Sequence, residues 1–445
     1  MHFCKRAAAA GLILCMAVLF SGCLMKSADE LYSLPKRSEE YYDLQKAVES
    51  AMGTGGVYCA PISGDNQQAV QRADLNGDGE DEILTFAKVE GDKPLRVLVF
   101  RRRDGEYALC STIEGDGTAF ESVQYAQVDG APGMELIVGR QVSDQVLQSL
   151  SVYSMREDTV SELMNAGYSA YTITDLDRDG TTDIFLLRPD SEQRNAVAEL
   201  YRWQNGELAR DTEANLSTGA DSIKRIITGN MAENVPAVFV ASTYDEKNLI
   251  TDVFAVYNGA LRHISVSDES GTSTQTVRNY YVYGTDIDGD GLVELPSTLP
   301  LTAVPDDEFS ASQYRINWYN LNLEGGSTSK LCTYHNFAEG WYLVLPEQWL
   351  EQLTVTKKFL GDDSGCCFGR LREDGTVSPI LTVYAFDDEL AASRAVADGR
   401  ILLAQKGEVY YSAQIGTDLL SKSLDDRTLR SMFRFISTDL LINDG

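Results

Sequence analysis

Three short acidic segments concentrate the residues of this 445-residue chain best suited to chemistry. They read Asp74-Leu75-Asn76-Gly77-Asp78-Gly79-Glu80-Asp81-Glu82, Asp175-Leu176-Asp177-Arg178-Asp179-Gly180-Thr181-Thr182-Asp183 and Asp286-Ile287-Asp288-Gly289-Asp290-Gly291-Leu292-Val293-Glu294. Each has a carboxylate or amide at positions 1, 3 and 5, glycine at 6 and an acid at 9. Ca²⁺ takes about six to eight hard oxygens, and alternate residues of a tight loop present them to one point. The glycine permits the sharp turn. Position 7 (Glu80, Thr181 or Leu292) would add its backbone carbonyl. Without a cation such crowding of like charge is repulsive. The expectation is three structural calcium sites.

An EF-hand would need a bidentate acid at position 12, on a following helix. Here that position holds Thr85, Leu186 and Ser297. The residues directly after the first two loops, Ile83-Leu84-Thr85-Phe86 and Ile184-Phe185-Leu186-Leu187, are short apolar runs that suit a strand buried on both faces. The loops therefore lead into strands, and the ninth-position acid closes each site.

The pattern recurs in eroded form from Gln127 and from Gly229, so that first positions fall at 74, 127, 175, 229 and 286. Gln127, Ala131, Gly229, Met231 and Ala237 cannot supply ligands there. A turn pair lies 29 or 30 residues after each of the first four starts: Asp104-Gly105, Glu157-Asp158, Asn205-Gly206 and Asn258-Gly259. Asn-Gly and Asp-Gly favour the positive φ angles of two-residue hairpins. Two markers in one register over roughly 50 residues indicate a repeated supersecondary unit, read as four strands. Residues 55–335 resemble the VCBS/FG-GAP repeats of integrin-α-like propellers, whose blades carry Asp-x-Asp/Asn-x-Asp-Gly-x-x-Asp/Glu calcium loops. That resemblance implies a mainly β protein with a calcium-binding β-propeller of about five four-stranded blades; six or seven stay open if degenerate copies exist. Gln68–Ala73 is expected to close the last blade, because closure removes an open sheet edge.

The start of the chain reads as a targeting segment. Lys5 and Arg6 precede the apolar stretch 7–20, and Leu19-Phe20-Ser21-Gly22-Cys23 resembles a bacterial lipobox. The core is short for a membrane span. Residues 1–22 are thus expected to be a signal peptide, with Cys23 carrying the diacylglycerol anchor of an extracytoplasmic, membrane-attached protein. Residues 23–54 form a tether and a helix at 38–52, in which Tyr41, Leu44, Val48 and Ala51 share a face. A formal net charge of −29 argues against nucleic acid as a partner. Five cysteines remain after the leader and Cys23: Cys59, Cys110, Cys332, Cys366 and Cys367. The adjacent pair is read either as a vicinal disulfide or as free thiols.

Residues 55–336 form the repeat region, and 337–445 are expected to fold as an α+β domain. Its strands are placed at 354–359, 366–372, 380–386, 401–406 and 409–415, with helices at 388–398 and 425–437. Tyr342–Trp349 resembles the opening of small PsbP-like domains. Only His263 and His335 lie beyond the leader, neither in a zinc-ligand spacing, and no nucleophile elbow or phosphate loop occurs. The chain is accordingly read as a non-catalytic binding module for an extracellular protein or glycan, with no catalytic residue named. The alternative is an envelope-acting glycan lyase or hydrolase on a propeller scaffold.

Overall fold

A computed structural model describes residues 39–142, 148–190, 195–279, 282–361 and 363–437. The leader, Cys23 and the tether lie outside them. Helix α1 (Glu39–Met52) comes first. Sheet I holds β1 (Val57–Tyr58), β2 (Val70–Ala73), β3 (Glu82–Lys88), β4 (Leu95–Arg103) and β5 (Glu106–Gly115). Sheet II holds β6 (Ala119–Ala126), β7 (Glu135–Gln141), β8 (Gln148–Arg156) and β9 (Thr159–Tyr168). Sheet III holds β10 (Ala170–Thr174), β11 (Asp183–Pro189), β12 (Ala196–Gln204) and β13 (Glu207–Asn215). Sheet IV holds β14 (Ile223–Ala232), β15 (Val235–Thr243), β16 (Leu249–Tyr257) and β17 (Ala260–His263).

Sheet V begins with β18 (Leu295–Pro300), passes through the short helix α2 (Glu308–Ala311), and adds β19 (Tyr314–Leu321), β20 (Ser327–Asn336) and β21 (Trp341–Leu345). Sheet VI comprises β22 (Leu353–Leu360), β23 (Asp363–Leu371), β24 (Val377–Phe386), β25 (Ile401–Lys406) and β26 (Val409–Ile415). Helix α3 (Ala391–Arg394) precedes β25. Helix α4 (Asp426–Met432) leads into β27 (Phe433–Phe435), which returns to the edge of sheet V. The chain is mainly β, built from antiparallel sheets of four or five strands.

Both markers of the repeat have structural meaning. At the hairpins Asp104, Glu157, Asn205 and Asn258 all have φ between 52 and 54°. The strand after the first acidic segment is buried on both faces: Ile83, Leu84, Phe86 and Ala87 are at most 2% exposed. Alternate residues of each sheet then pack on opposite neighbours. Leu136 and Val138 join the core shared with sheet I, while Ile137 joins the core shared with sheet III. The same alternation links III to IV and IV to V, and sheet V to sheet VI through Trp341, Trp349 and Phe368.

The order of contact is therefore a row. The outer face of sheet I (Ile83, Leu98, Phe100) is covered by α1 through Val48, with Leu44 and Ala51 beside it. Among the described residues no core cluster joins sheet V to sheet I.

Four expectations change. Residues 70–73 do not close a last blade; β2 pairs with β3 (Val70↔Thr85 to Ala73↔Glu82), because the tight acidic loop folds the chain straight back on itself. The helix expected over 425–437 stops at Met432, since Phe433-Arg434-Phe435 pairs with Trp341–Leu343. The helix expected over 388–398 is one turn at α3 followed by a 3₁₀ turn. The division at 336/337 falls within the β20–β21 hairpin, which pairs Asn336 with Trp341. All five described cysteines are free thiols.

Candidate metal centres

The first two acidic segments connect β2 to β3 and β10 to β11, the third leads into β18 from a single bridge that pairs Thr285 with Glu294, and all three are wired alike. In the first, Asp74 accepts from the Gly77 and Gly79 N–H groups (2.7 and 2.9 Å), and Asn76 accepts from Asp78 N–H (2.9 Å). Asp78 accepts from Glu80 N–H (2.9 Å). Asp175, Asp177 and Asp179 accept from Gly180, Asp179 and Thr181 N–H groups (3.1, 3.2 and 2.7 Å). Asp286, Asp288 and Asp290 accept from Gly291, Asp290 and Leu292 N–H groups (2.9, 3.2 and 2.9 Å). The position-6 glycines have φ of 87 to 93°, so the turn needs them.

The ninth-position acid has a second task. Glu82, Asp183 and Glu294 are at most 1% exposed. One oxygen of each accepts the N–H of position 2: Leu75 (2.9 Å), Leu176 (2.9 Å) and Ile287 (3.1 Å). The eroded loop at 127 keeps this clamp, Glu135 accepting from Val128 N–H at 2.8 Å. Burial first, and then neighbouring carboxylates, push the Glu82, Glu135 and Glu294 carboxyls above their ordinary range, and Asp183 up to about 7. Buried acids held among like charges are what a bound cation would relieve.

The loops differ in how closely the acids gather. One oxygen from each of Asp286, Asp288, Asp290 and Glu294 lies within 4.8 Å of the others, and the same holds for Asp175, Asp177 and Asp183. Asp179 stands apart, bonded to the Thr181 hydroxyl (2.6 Å). The first loop forms no such group among the described residues: Asn76 donates to Glu82, and the Arg101 guanidinium reaches Asp78, Glu82 (3.2 Å) and Asp158 of sheet II (3.1 Å). Two loops therefore carry carboxylates grouped so that they could hold a metal ion, and the first carries an arginine among its acids. The repeat starting at 229 has no loop, since β14 turns directly into β15 at Glu233-Asn234.

The residues behind the loops do not stand out in the sequence. Arg101, Ser154 and Arg202 each stand 27 residues after the first position of their loop, on the third strand of the unit. Arg202 bonds Asp177 (2.7 Å) and the Gly259 carbonyl of sheet IV (2.8 Å), and Ser154 donates to Asp129 (3.3 Å). In sheet V the corresponding residue is Asn320, which donates to Glu294 (2.7 Å), while Lys330 pairs with Asp290 (2.6 Å). The offset of 27 shared by Arg101, Ser154 and Arg202 is the one signal that could have singled them out; Asn320 stands 34 residues after Asp286 and escapes it. Replacing Arg101 with methionine should cost about 2 kcal/mol in chelator, by leaving Glu82 buried without a cation. Added Ca²⁺ should restore more stability to the variant than to the parent in urea titrations. An equal loss with and without Ca²⁺ would show that the guanidinium does not stand in a cation's place.

Three pairs of consecutive repeats are also tied together at this end. Met134 N–H donates to the Asp74 carbonyl (3.0 Å), Thr182 N–H to Gln127 (2.7 Å) and Val293 N–H to Asn230 (2.8 Å). Elsewhere, His263 Nε2 meets both Asp252 (3.1 Å) and Ser273 Oγ (2.8 Å), inside a network with Ser217 and Ser265. One nitrogen serving both partners is not the relay of a nucleophilic triad, and Asp252 is fully buried.

No family model and no curated protein matches the chain. Solved structures similar to it include an exotype rhamnogalacturonan lyase, YesX (12% identity, TM-score 0.26, covering 70% of this chain and 61% of that one). Others are the rhamnogalacturonan lyase YesW (15%, 0.25, 70% and 60%) and the Bacillus licheniformis rhamnogalacturonan lyase PL11 (12%, 0.24, 70% and 60%). The chain thus spans about three-fifths of their length. Likeness at this level does not carry a reaction from one chain to another.

Proposed function

We propose that this chain is an extracytoplasmic, lipid-anchored binding module whose stacked sheets are fastened by calcium. The observation that carries the reading is the four-carboxylate group Asp286, Asp288, Asp290 and Glu294, each acid oriented by loop wiring shared with the segment at 175–183. The resemblance to VCBS/FG-GAP repeats supports calcium as the ion, and the lipobox at Cys23 supports the anchor. The sheets are then propeller-type blades set in an open row, ended by α1 and sheet VI. The ligand is an extracellular protein or glycan.

Extracellular calcium modules bind with Kd of about 10⁻⁴–10⁻³ M. At ~1 mM Ca²⁺ and Kd ~0.1 mM each occupied site adds about 1.4 kcal/mol, so two give roughly 3 kcal/mol out of a typical total of about 5–15 kcal/mol. Chelation should lower the melting temperature, and Asp177→Ala and Asp288→Ala should each remove part of that response. Equal melting in Ca²⁺ and chelator, with no calorimetric binding, would end the calcium reading.

A further inference from the structure

The repeats can be compared with one another, and one pair of equivalent positions differs in a telling way. Arg188 of sheet III and Arg140 of sheet II each stand 13 residues after the first position of their loop. Arg188 has a buried counter-ion: its Nε donates to Glu199 at 2.7 Å, and Glu199 is 2% exposed. The position equivalent to Glu199 in sheet II is Ser151, 24 residues into the repeat in both cases. Arg140 reaches that hydroxyl (2.5 Å), leaves Nε without a partner, and makes no ion pair among the described residues. It is nonetheless only 6% exposed.

A buried charge without a partner costs several kcal/mol. Sheet III shows that this scaffold readily supplies the missing carboxylate. The surroundings of Arg140 are built for the guanidinium too, because a Cβ on Gly115 of β5 would sit 1.9 Å from its Nη1. Arg140 lies on the wall of a cleft of about 420 Å³ between sheets I and II, together with Lys93, Asp116, Ser149, Glu162 and Asn165. Glu114, also on the wall, is already paired with Arg96 (3.0 Å).

We propose that this cleft binds a small zwitterion, of which a free α-amino acid is the minimal example. Its carboxylate takes the place of the Glu199 carboxylate and pairs with Arg140, in the charge-assisted geometry arginine favours. Asp116 and Glu162 would repel a plain anion, and they receive the ligand's ammonium. The Ser149 hydroxyl, 3.3 Å from the Asn165 side chain, adds polar contacts without closing the cleft. The inference rests on reading the chain as a binding module, and not on its cation sites.

Calorimetric titration of the full chain in ~1 mM Ca²⁺ tests it, with glycine, alanine, glutamate and lysine as ligands and with acetate and methylamine as their separate halves. At least one amino acid should give saturable binding, tenfold or more tighter than either half. Ser151→Glu, which rebuilds the Arg188–Glu199 pair in sheet II, should raise the melting temperature and weaken that binding more than tenfold. Arg140→Met should weaken it equally, and serves if the first variant does not fold. Unchanged affinity in both variants overturns the site, and acetate binding as tightly as the amino acids overturns the zwitterion. No binding by any probe, with the calcium-dependent melting shift intact, overturns this site alone; loss of that shift as well removes the calcium part of the wider reading.

Discussion

Val48→Asp is expected to destabilise the protein by about 3–5 kcal/mol, the range for an unpaired charge placed in a packed interface. Val48 is 1% exposed and presses α1 onto Ile83, Leu98 and Phe100. In a closed ring those three side chains would face another sheet, and the helix would be dispensable. In a row they have only the helix. Val48→Ala should cost roughly 1–2 kcal/mol through lost methyl burial, and urea titrations followed by circular dichroism separate the two variants. A change below about 0.5 kcal/mol for the aspartate, the scale of ordinary surface substitutions, would show that something else covers sheet I.

Acidification should weaken the fold through His335. Its ring stacks on Tyr342 (centroids 4.8 Å apart) and packs near Trp318 and Phe337, with both nitrogens buried and unpartnered. Burial holds the imidazole down to about 3, against 6.5 for a free ring. Between these values the unfolded chain binds a proton that the folded chain refuses. The contribution is therefore in place above about pH 6.5 and is lost as pH falls towards 3. At about 1.36 kcal/mol per unit, the loss is roughly 2 kcal/mol at pH 5 and roughly 4 kcal/mol near pH 3.5. His335→Phe keeps the stacking and removes the titration, so its stability should fall less over the same range. Parallel pH profiles for variant and parent would contradict this assignment.

Local chemistry was legible in the sequence; pairing across the molecule was not. The glycine at position 6 and the Asn-Gly and Asp-Gly turns show themselves because positive φ is a property of single residues. The amphipathic helix was visible too, through Leu44, Val48 and Ala51, but its destination was not. A period of about 50 residues states that units repeat and leaves open whether the last meets the first, since the face that sheet I offers to α1 looks like any other apolar face. Phe433 misled because Leu429, Met432, Phe433 and Ile436 satisfy helical spacing, whereas the free edge of β21 captured the alternation in Phe433-Arg434-Phe435. Arg101 and Arg140 act across strands, so neither role could be read before the register was known.

The carbonyl-to-amide links between neighbouring repeats, at Asp74–Met134, Gln127–Thr182 and Asn230–Val293, lie beside cores that each sheet shares with the sheet next to it, so a unit leans on its neighbours rather than on the whole. A ring must hold the number of blades that its closing angle allows. A row capped at both ends has no such quota, so a gene duplication that splices one more unit between sheets II and III would meet the same faces, the same loop ties and the same two caps as before.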